Sequence, residues 1–129
     1  MAYRVLPDTN IVSALFDGEA IVVEKFNSAN EILIAVIVLG ELFFGAEKST
    51  RRDANIAKYN ALTVQYSVLD CTLKTANHYA IIRNALRIKG RPIPDNDIWI
   101  AALAMQHDLT VITRDAHFDQ VEGLKLERW

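Results

Sequence analysis

Apolar and polar positions along the chain alternate between two kinds of pattern. Short continuous aliphatic runs, of the sort a strand buried on both faces shows, are separated by longer stretches with helical periodicity. Tyr3 to Leu6 reads as a strand that stops at Pro7-Asp8, and Asn10 to Phe16 as a short helix closed by Gly18. Ala20 to Phe26 carries a helical apolar stripe, Ile32 to Ala35 reads as a second buried strand, and the stretch to Glu47 predicts a buried helix. Arg51 to Leu62 and Thr72 to Lys89 predict two helices flanking a short strand at Gln65 to Leu69. The second of them is closed by Gly90 with Pro92 beyond. Asp97 to His107 is apolar nearly all round, as a core helix would be. Thr110 to Thr113 and Leu124 to Leu126 read as further short strands. Strands alternating with helices predict an α/β architecture with a central, mostly parallel sheet covered on both faces.

The 129 residues, 51% hydrophobic and 23% charged, suit one domain spanning 1–129 with a single core. A chain of this size folds without disulfide or metal staples, so any metal would serve chemistry. Cys71 is the sole cysteine and nothing at the N-terminus has the pattern of a secretion signal, which predicts a cytoplasmic protein. The most apolar stretch, Ile32 to Ala46, is too short for a membrane span and is interrupted by Glu41. The net charge of −2 excludes a strongly basic nucleic-acid coat, but it averages over a split. Residues 48–91 hold nine basic side chains against two acidic ones, a basic middle between acidic ends.

Ligands of open parallel sheets bind outside the carboxyl ends of the strands, and there this chain places acids. Asp8 follows the first strand and Asp115 follows the Thr110 to Thr113 strand by two residues; if those strands are neighbours, both carboxylates share one crevice. A single such Asp is an ordinary turn residue, whereas two at one sheet edge point to a site. Glu41 stands among Ile37, Val38, Leu42, Phe43 and Gly45, surroundings in which a carboxylate needs a cation or a basic partner. Asp97 opens the core helix after Pro94-Asp95-Asn96. It is either a first-turn acid favoured by the helix dipole or, with Asp95 or Asn96 as the cap, a residue free to face the crevice. Carboxylates converging without Cys or His ligands call for a hard divalent ion, Mg²⁺ or Mn²⁺, and hence for phosphate-ester chemistry. His78, His107 and His117 sit singly and read as surface or helix-end residues.

These blocks resemble the PIN-domain family, and within it the small VapC-type toxins of toxin–antitoxin systems. The likeness rests on Asp8-Thr9-Asn10, Gly40-Glu41-Leu42 with Gly45, the run Pro94 to Ala102, and Thr113-Arg114-Asp115 with Phe118 and Trp129. It implies a three-layer α/β/α fold and an endoribonuclease dependent on Mg²⁺ or Mn²⁺. Its acidic quartet falls on Asp8, Glu41, Asp97 and Asp115, with Asn10 and Thr113 as supporting polar residues. Asp8, Glu41 and Asp97 would hold one metal, and Asp115 would position a second metal or the attacking water. The chain departs from the pattern at Pro7, Ala35 and Val38, which bears on hydrogen bonding around the ligands. The resemblance also implies an RNA substrate of the tRNA or rRNA class, a VapB-like antitoxin contacting the Arg51 to Leu62 region, and a homodimer.

Arg83, Arg87, Lys89 and Arg91 are candidate phosphate contacts, and Tyr59, Tyr66 and Tyr79 candidate stacking residues, each with a bland counterpart as a solvated face or core aromatic. An aspartyl-nucleophile phosphatase would need an acid two residues after Asp8, where Asn10 stands. The rival from another class is a catalytically silent PIN-like module that binds RNA or a partner protein.

Overall fold

The computed structural model describes residues 3–129. Five strands form one parallel sheet: β1 (Arg4–Pro7), β2 (Glu31–Ala35), β3 (Ser67–Leu69), β4 (Thr110–Ile112) and β5 (Leu126–Glu127), in the order β3-β2-β1-β4-β5. Six helices connect them: α1 (Thr9–Phe16), α2 (Ala20–Ser28), α3 (Val36–Lys48), α4 (Arg52–Gln65), α5 (Leu73–Lys89) and α6 (Asp95–His107). A 3-10 helix, Ala116–Gln120, lies between β4 and β5.

The three central strands are short because each carries only enough aliphatic residues to cross the core. Val5, Leu6, Ile34, Ala35, Val111 and Ile112 are fully buried, as parallel strands covered by helices on both faces must be. Pro7 has no N–H to donate, and the pairing of β1 follows from that: toward β2 it stops at Val5↔Ile32, while toward β4 it runs on to Pro7↔Ile112. The sequence reading of α6 as a core helix holds in its burial, since Ile98 and every residue from Ile100 to Ala104 are buried. By contrast α5, packed on α6, buries only Thr75, Ile82 and Leu86 and leaves its basic face in solvent. Gly90 ends α5 in the left-handed conformation, φ 71°, which a glycine adopts without a Cβ clash.

Several boundaries differ from the sequence pattern. Helix α4 runs on past Leu62 to Gln65, so β3 opens at Ser67 and not at Gln65. Helix α6 begins at Asp95, two residues before the predicted start at Asp97, with Pro94 at the cap, so neither Asp95 nor Asn96 serves as the cap. A first helical turn can be polar because its free N–H groups face solvent. Strand β5 lies two residues later than Leu124, where the register Val111↔Leu126 against β4 places it. The 3-10 helix carried no periodic signal. No helix among the described residues is long and apolar enough to cross a membrane.

The strand order decides where a site can form. From β1 the chain moves to one side through β2 and β3, then returns to the other side of β1 for β4. The crevice at this reversal lies outside the carboxyl ends of β1 and β4.

Candidate active site

Asp8 leaves the end of β1 and caps α1. Its Oδ1 accepts from the Thr9 N–H at 2.8 Å, and its own N–H donates to the Ile112 carbonyl at 2.8 Å, which locks it beside β4. Its Oδ2 accepts from the Thr113 hydroxyl at 2.7 Å. Thr113 Oγ1 in turn accepts from the Asp115 N–H at 3.0 Å. One buried hydroxyl thus spans both acids at the sheet edge. Burial raises the Asp8 carboxyl above the ordinary carboxylate range, with repulsion from Asp115 adding to it and the Thr113 and Thr9 hydrogen bonds opposing.

Glu41 comes from α3, which starts directly after β2 and buries Val38, Leu39, Leu42 and Ala46. The side chain is half-buried; its Oε1 is enclosed and forms no well-shaped hydrogen bond among the described residues, and the Thr9 hydroxyl near it is likewise buried and unpartnered. Burial and then the charge of Asp8 push this carboxyl upward, the Thr9 hydroxyl opposes them, and the charge of Asp97 adds to the rise. A cavity of about 420 Å³, lined by Val36, Ile37, Gly40, Glu41, Phe44 and Asn96, opens beside it.

Asp97, in the first turn of α6, is raised chiefly by burial; the contact with His117 opposes this, and repulsion from Asp8 and Asp115 adds to it. Its Oδ2 lies 3.0 Å from His117 Nδ1. Asp115 caps the 3-10 helix, its Oδ1 accepting from the His117 N–H at 2.9 Å and lying 3.0 Å from His117 Nδ1. The four carboxylates named from the sequence therefore meet and repel one another. Among the described residues, none of them pairs with a lysine or arginine.

The donor set fits a hard divalent cation: oxygen ligands in like-charge conflict, three of them raised, and one enclosed Glu41 oxygen without a well-shaped hydrogen bond among the described residues. His117 is exposed on a short helix, as the sequence reading has it, but it does not sit singly: its ring is in contact with this cluster. Its ring meets Asp97 from another element, so spacing along the chain could not reveal it. The one local signal is its place between the capping Asp115 and the fully buried Phe118.

The sequence pattern of the PIN domain family matches residues 5–124. A protein named Ribonuclease VapC2 from Haemophilus influenzae is 33% identical over 95% of both chains. One named tRNA(fMet)-specific endonuclease VapC, from Shigella flexneri, is 34% identical over 95% of both. The DNA-bound VapBC structure from Salmonella typhimurium contains a chain that superposes with TM-score 0.90 at 31% identity, covering 100% of this chain and 99% of that one. The chain belongs to the PIN-domain family, in its VapC branch.

Other residues of this PIN domain singled out from the sequence are more dispersed. Asn10 Oδ1 accepts from the Arg114 N–H at 3.4 Å and so ties α1 to the loop after β4. Arg83 donates to the Tyr79 hydroxyl at 2.6 Å and lies 3.5 Å from Asp95. Arg87 donates to Asn84, and Lys89 to the Gln120 carbonyl at 2.8 Å. Arg83 and Arg87 border a cavity of about 630 Å³ beneath α5, and Arg91 borders another, of about 410 Å³, together with His117. The tyrosines pack within the fold: Tyr59 on Phe16 and Phe43, Tyr66 on Phe26, and Tyr79 stacked on Trp99 at 4.0 Å. All three remain partly exposed.

Proposed function

We propose that this VapC-type chain is an endoribonuclease that cuts tRNA with the help of a divalent cation held in the Asp8, Glu41, Asp97 and Asp115 crevice. The observation that carries the reading is the enclosed Glu41 oxygen, which forms no well-shaped hydrogen bond among the described residues and is repelled by Asp8 and Asp97 at the strand-order reversal. Such an arrangement is unfavourable by itself and becomes favourable around a cation.

Asp8, Glu41 and Asp97 would hold Mg²⁺ or Mn²⁺, with Asn10 and Thr113 supporting them. Once bound, the ion would supply charge stabilisation at the scissile phosphate and acidify a water. The chain's own residues divide the remaining work. Thr113 fixes the Asp8 carboxylate in one orientation. Asp115, whose N–H donates to the Thr113 hydroxyl and whose Oδ1 accepts from the His117 N–H, would position a second cation or the attacking water. In-line attack would leave a 5′-phosphate and a 3′-hydroxyl.

An acidic crevice repels a polyanion, and the exposed basic face of α5 with Arg91 offsets this. Arg83, Arg87, Lys89 and Arg91 serve in this reading as phosphate contacts. The substrate class follows the Shigella flexneri relative, named for tRNA(fMet). Two partners complete it. A cognate antitoxin contacts the α4 region, and a second copy covers the apolar patch of Ile81, Ile88 and Met105, which are 70%, 72% and 36% exposed.

The deciding experiment is incubation of antitoxin-free protein with total tRNA and rRNA in Mg²⁺ or Mn²⁺, against EDTA and an Asp97→Asn control. Discrete tRNA fragments that disappear with EDTA and with the variant are expected. Equal inertness of both proteins with both ions would favour the silent interaction module instead.

A further inference from the structure

The acidic crevice contains one nitrogen donor that the PIN-domain quartet does not include. His117 sits on the 3-10 helix Ala116–Gln120, anchored by the fully buried Phe118 beside it and by the bond from its N–H to Asp115. Its ring Nδ1 lies 3.0 Å from Asp97 Oδ2 and 3.0 Å from Asp115 Oδ1. Asp115 and His117 lie at the start of the 3-10 helix and Asp97 on α6, and the donor atoms of the three all lie within 4.8 Å of one another. In an octahedral site with bonds of about 2.1 Å, adjacent ligand atoms are about 3.0 Å apart. Both nitrogen–oxygen separations match that edge, so the imidazole is already spaced from each carboxylate as a neighbouring ligand would be. The ring is half-exposed and can adjust its orientation.

We propose that His117 contributes an imidazole nitrogen to a cation in the second position of this crevice, between Asp97 and Asp115, and thereby makes that position prefer Mn²⁺ to Mg²⁺. The proposal rests on the reading of the crevice as a divalent-cation site. Mg²⁺ keeps its waters and favours all-oxygen surroundings, whereas imidazole is a good ligand for first-row transition ions. Replacing one oxygen ligand by nitrogen therefore shifts selectivity without changing the positions of the carboxylates. The same geometry also admits a ring that only donates a hydrogen bond shared by the two acids, orienting them without touching the ion.

Pulsed electron paramagnetic resonance of the full chain loaded with Mn²⁺ separates the two. The expected result is nitrogen modulation from a coordinated imidazole in the wild type, absent in His117→Gln. Calorimetry with Mn²⁺ and Mg²⁺ alone gives the second readout. His117→Gln is expected to weaken Mn²⁺ binding about 10-fold or more while leaving Mg²⁺ binding nearly unchanged. Mn²⁺ binding without nitrogen coupling, coupling that persists in the variant, or equal loss of both ions would overturn the ligand role and leave the cation site standing. Absence of Mn²⁺ and Mg²⁺ binding in folded wild type would overturn both. Circular dichroism of the variant confirms that any loss is not unfolding.

Discussion

The Thr113 hydroxyl donates a 2.7 Å hydrogen bond to Asp8 Oδ2 inside the protein, joining the end of β4 to the end of β1 across 105 residues of sequence. The same oxygen accepts from the Asp115 N–H at 3.0 Å, so one side chain sets the spacing of two acids. Thr113→Val keeps the shape and removes both functions. It is expected to cost about 1–3 kcal/mol of stability and to weaken cation binding about 10- to 100-fold. Thr113→Ser, which keeps the hydroxyl, should stay close to wild type in both. Thermal unfolding and calorimetric titration with Mn²⁺ check the pair.

Asp97→Asn should separate stability from function. In the metal-free protein, Asp97 repels Asp8, Glu41 and Asp115. Removing its charge relieves that repulsion, so the variant's melting temperature without metal should equal or exceed that of the wild type. RNA cleavage should fall by at least about 100-fold, the loss expected when a group acting on the reacting atoms is removed. Such opposite changes mark a residue kept for activity at the expense of stability. A melt in EDTA and a gel-based cleavage assay read the two quantities.

The raised carboxyls of Asp8, Glu41 and Asp97 make a signed prediction about pH. Groups whose folded pKa exceeds the unfolded value bind more protons in the native state between the two, so their contribution grows as pH falls toward about 4 and is lost as pH rises through the folded pKa. Glu19 and Asp108, both lowered by basic partners, act in the opposite direction at the surface. The difference between wild type and Asp97→Asn cancels those common groups. In EDTA, the stability advantage of the variant should widen as pH rises from about 5 to about 8, and saturating Mn²⁺ should abolish or reverse it. Denaturant unfolding across that range is the measurement.

Arg91 and Arg87 should matter more for RNA binding than Lys89. Lys89 is held by the Gln120 carbonyl and lies 3.9 Å from Glu122, so part of its charge is already answered within the fold. Arg87 bonds only to the neutral Asn84, and Arg91 borders the cavity it shares with His117. Replacing Arg87 or Arg91 by Ala should weaken RNA binding by a catalytically inactive variant. The log–log salt slope should become shallower by about 0.7 for each single-strand phosphate that is no longer neutralised. Lys89→Ala should do less. Binding isotherms at several salt concentrations provide the test.

Much of the fold could be read directly from local pattern. The aliphatic runs at Val5-Leu6, Ile32 to Ala35 and Val111-Ile112 became buried strands, because a parallel strand covered on both faces has to be apolar throughout. The four candidate acids that the fold gathers were also legible, since each stands where a strand or a core helix meets a turn or interrupts an apolar run. Residues whose neighbours are distant in sequence were not. The engagement of Arg83 by Asp95 and Tyr79 and the packing of Tyr59 on Phe16 depend on which helix faces lie together. His117 was missed for the same reason, its second carboxylate being Asp97, twenty residues away on α6.

Local sequence determined the elements of this protein and the chemical kind of its acidic residues, because hydrophobic periodicity records burial one segment at a time. Tertiary structure alone decided that β4 returns beside β1, since strand order depends on the crossover connections and not on the pattern of any one strand. That return set Asp8 against Thr113 and Asp115, and the packing of α3 and α6 behind them brought Glu41 and Asp97 into the same repulsive cluster. Four residues that are ordinary helix and turn positions along the chain thereby became one concentrated charge, an arrangement whose energy depends on distances no local pattern contains.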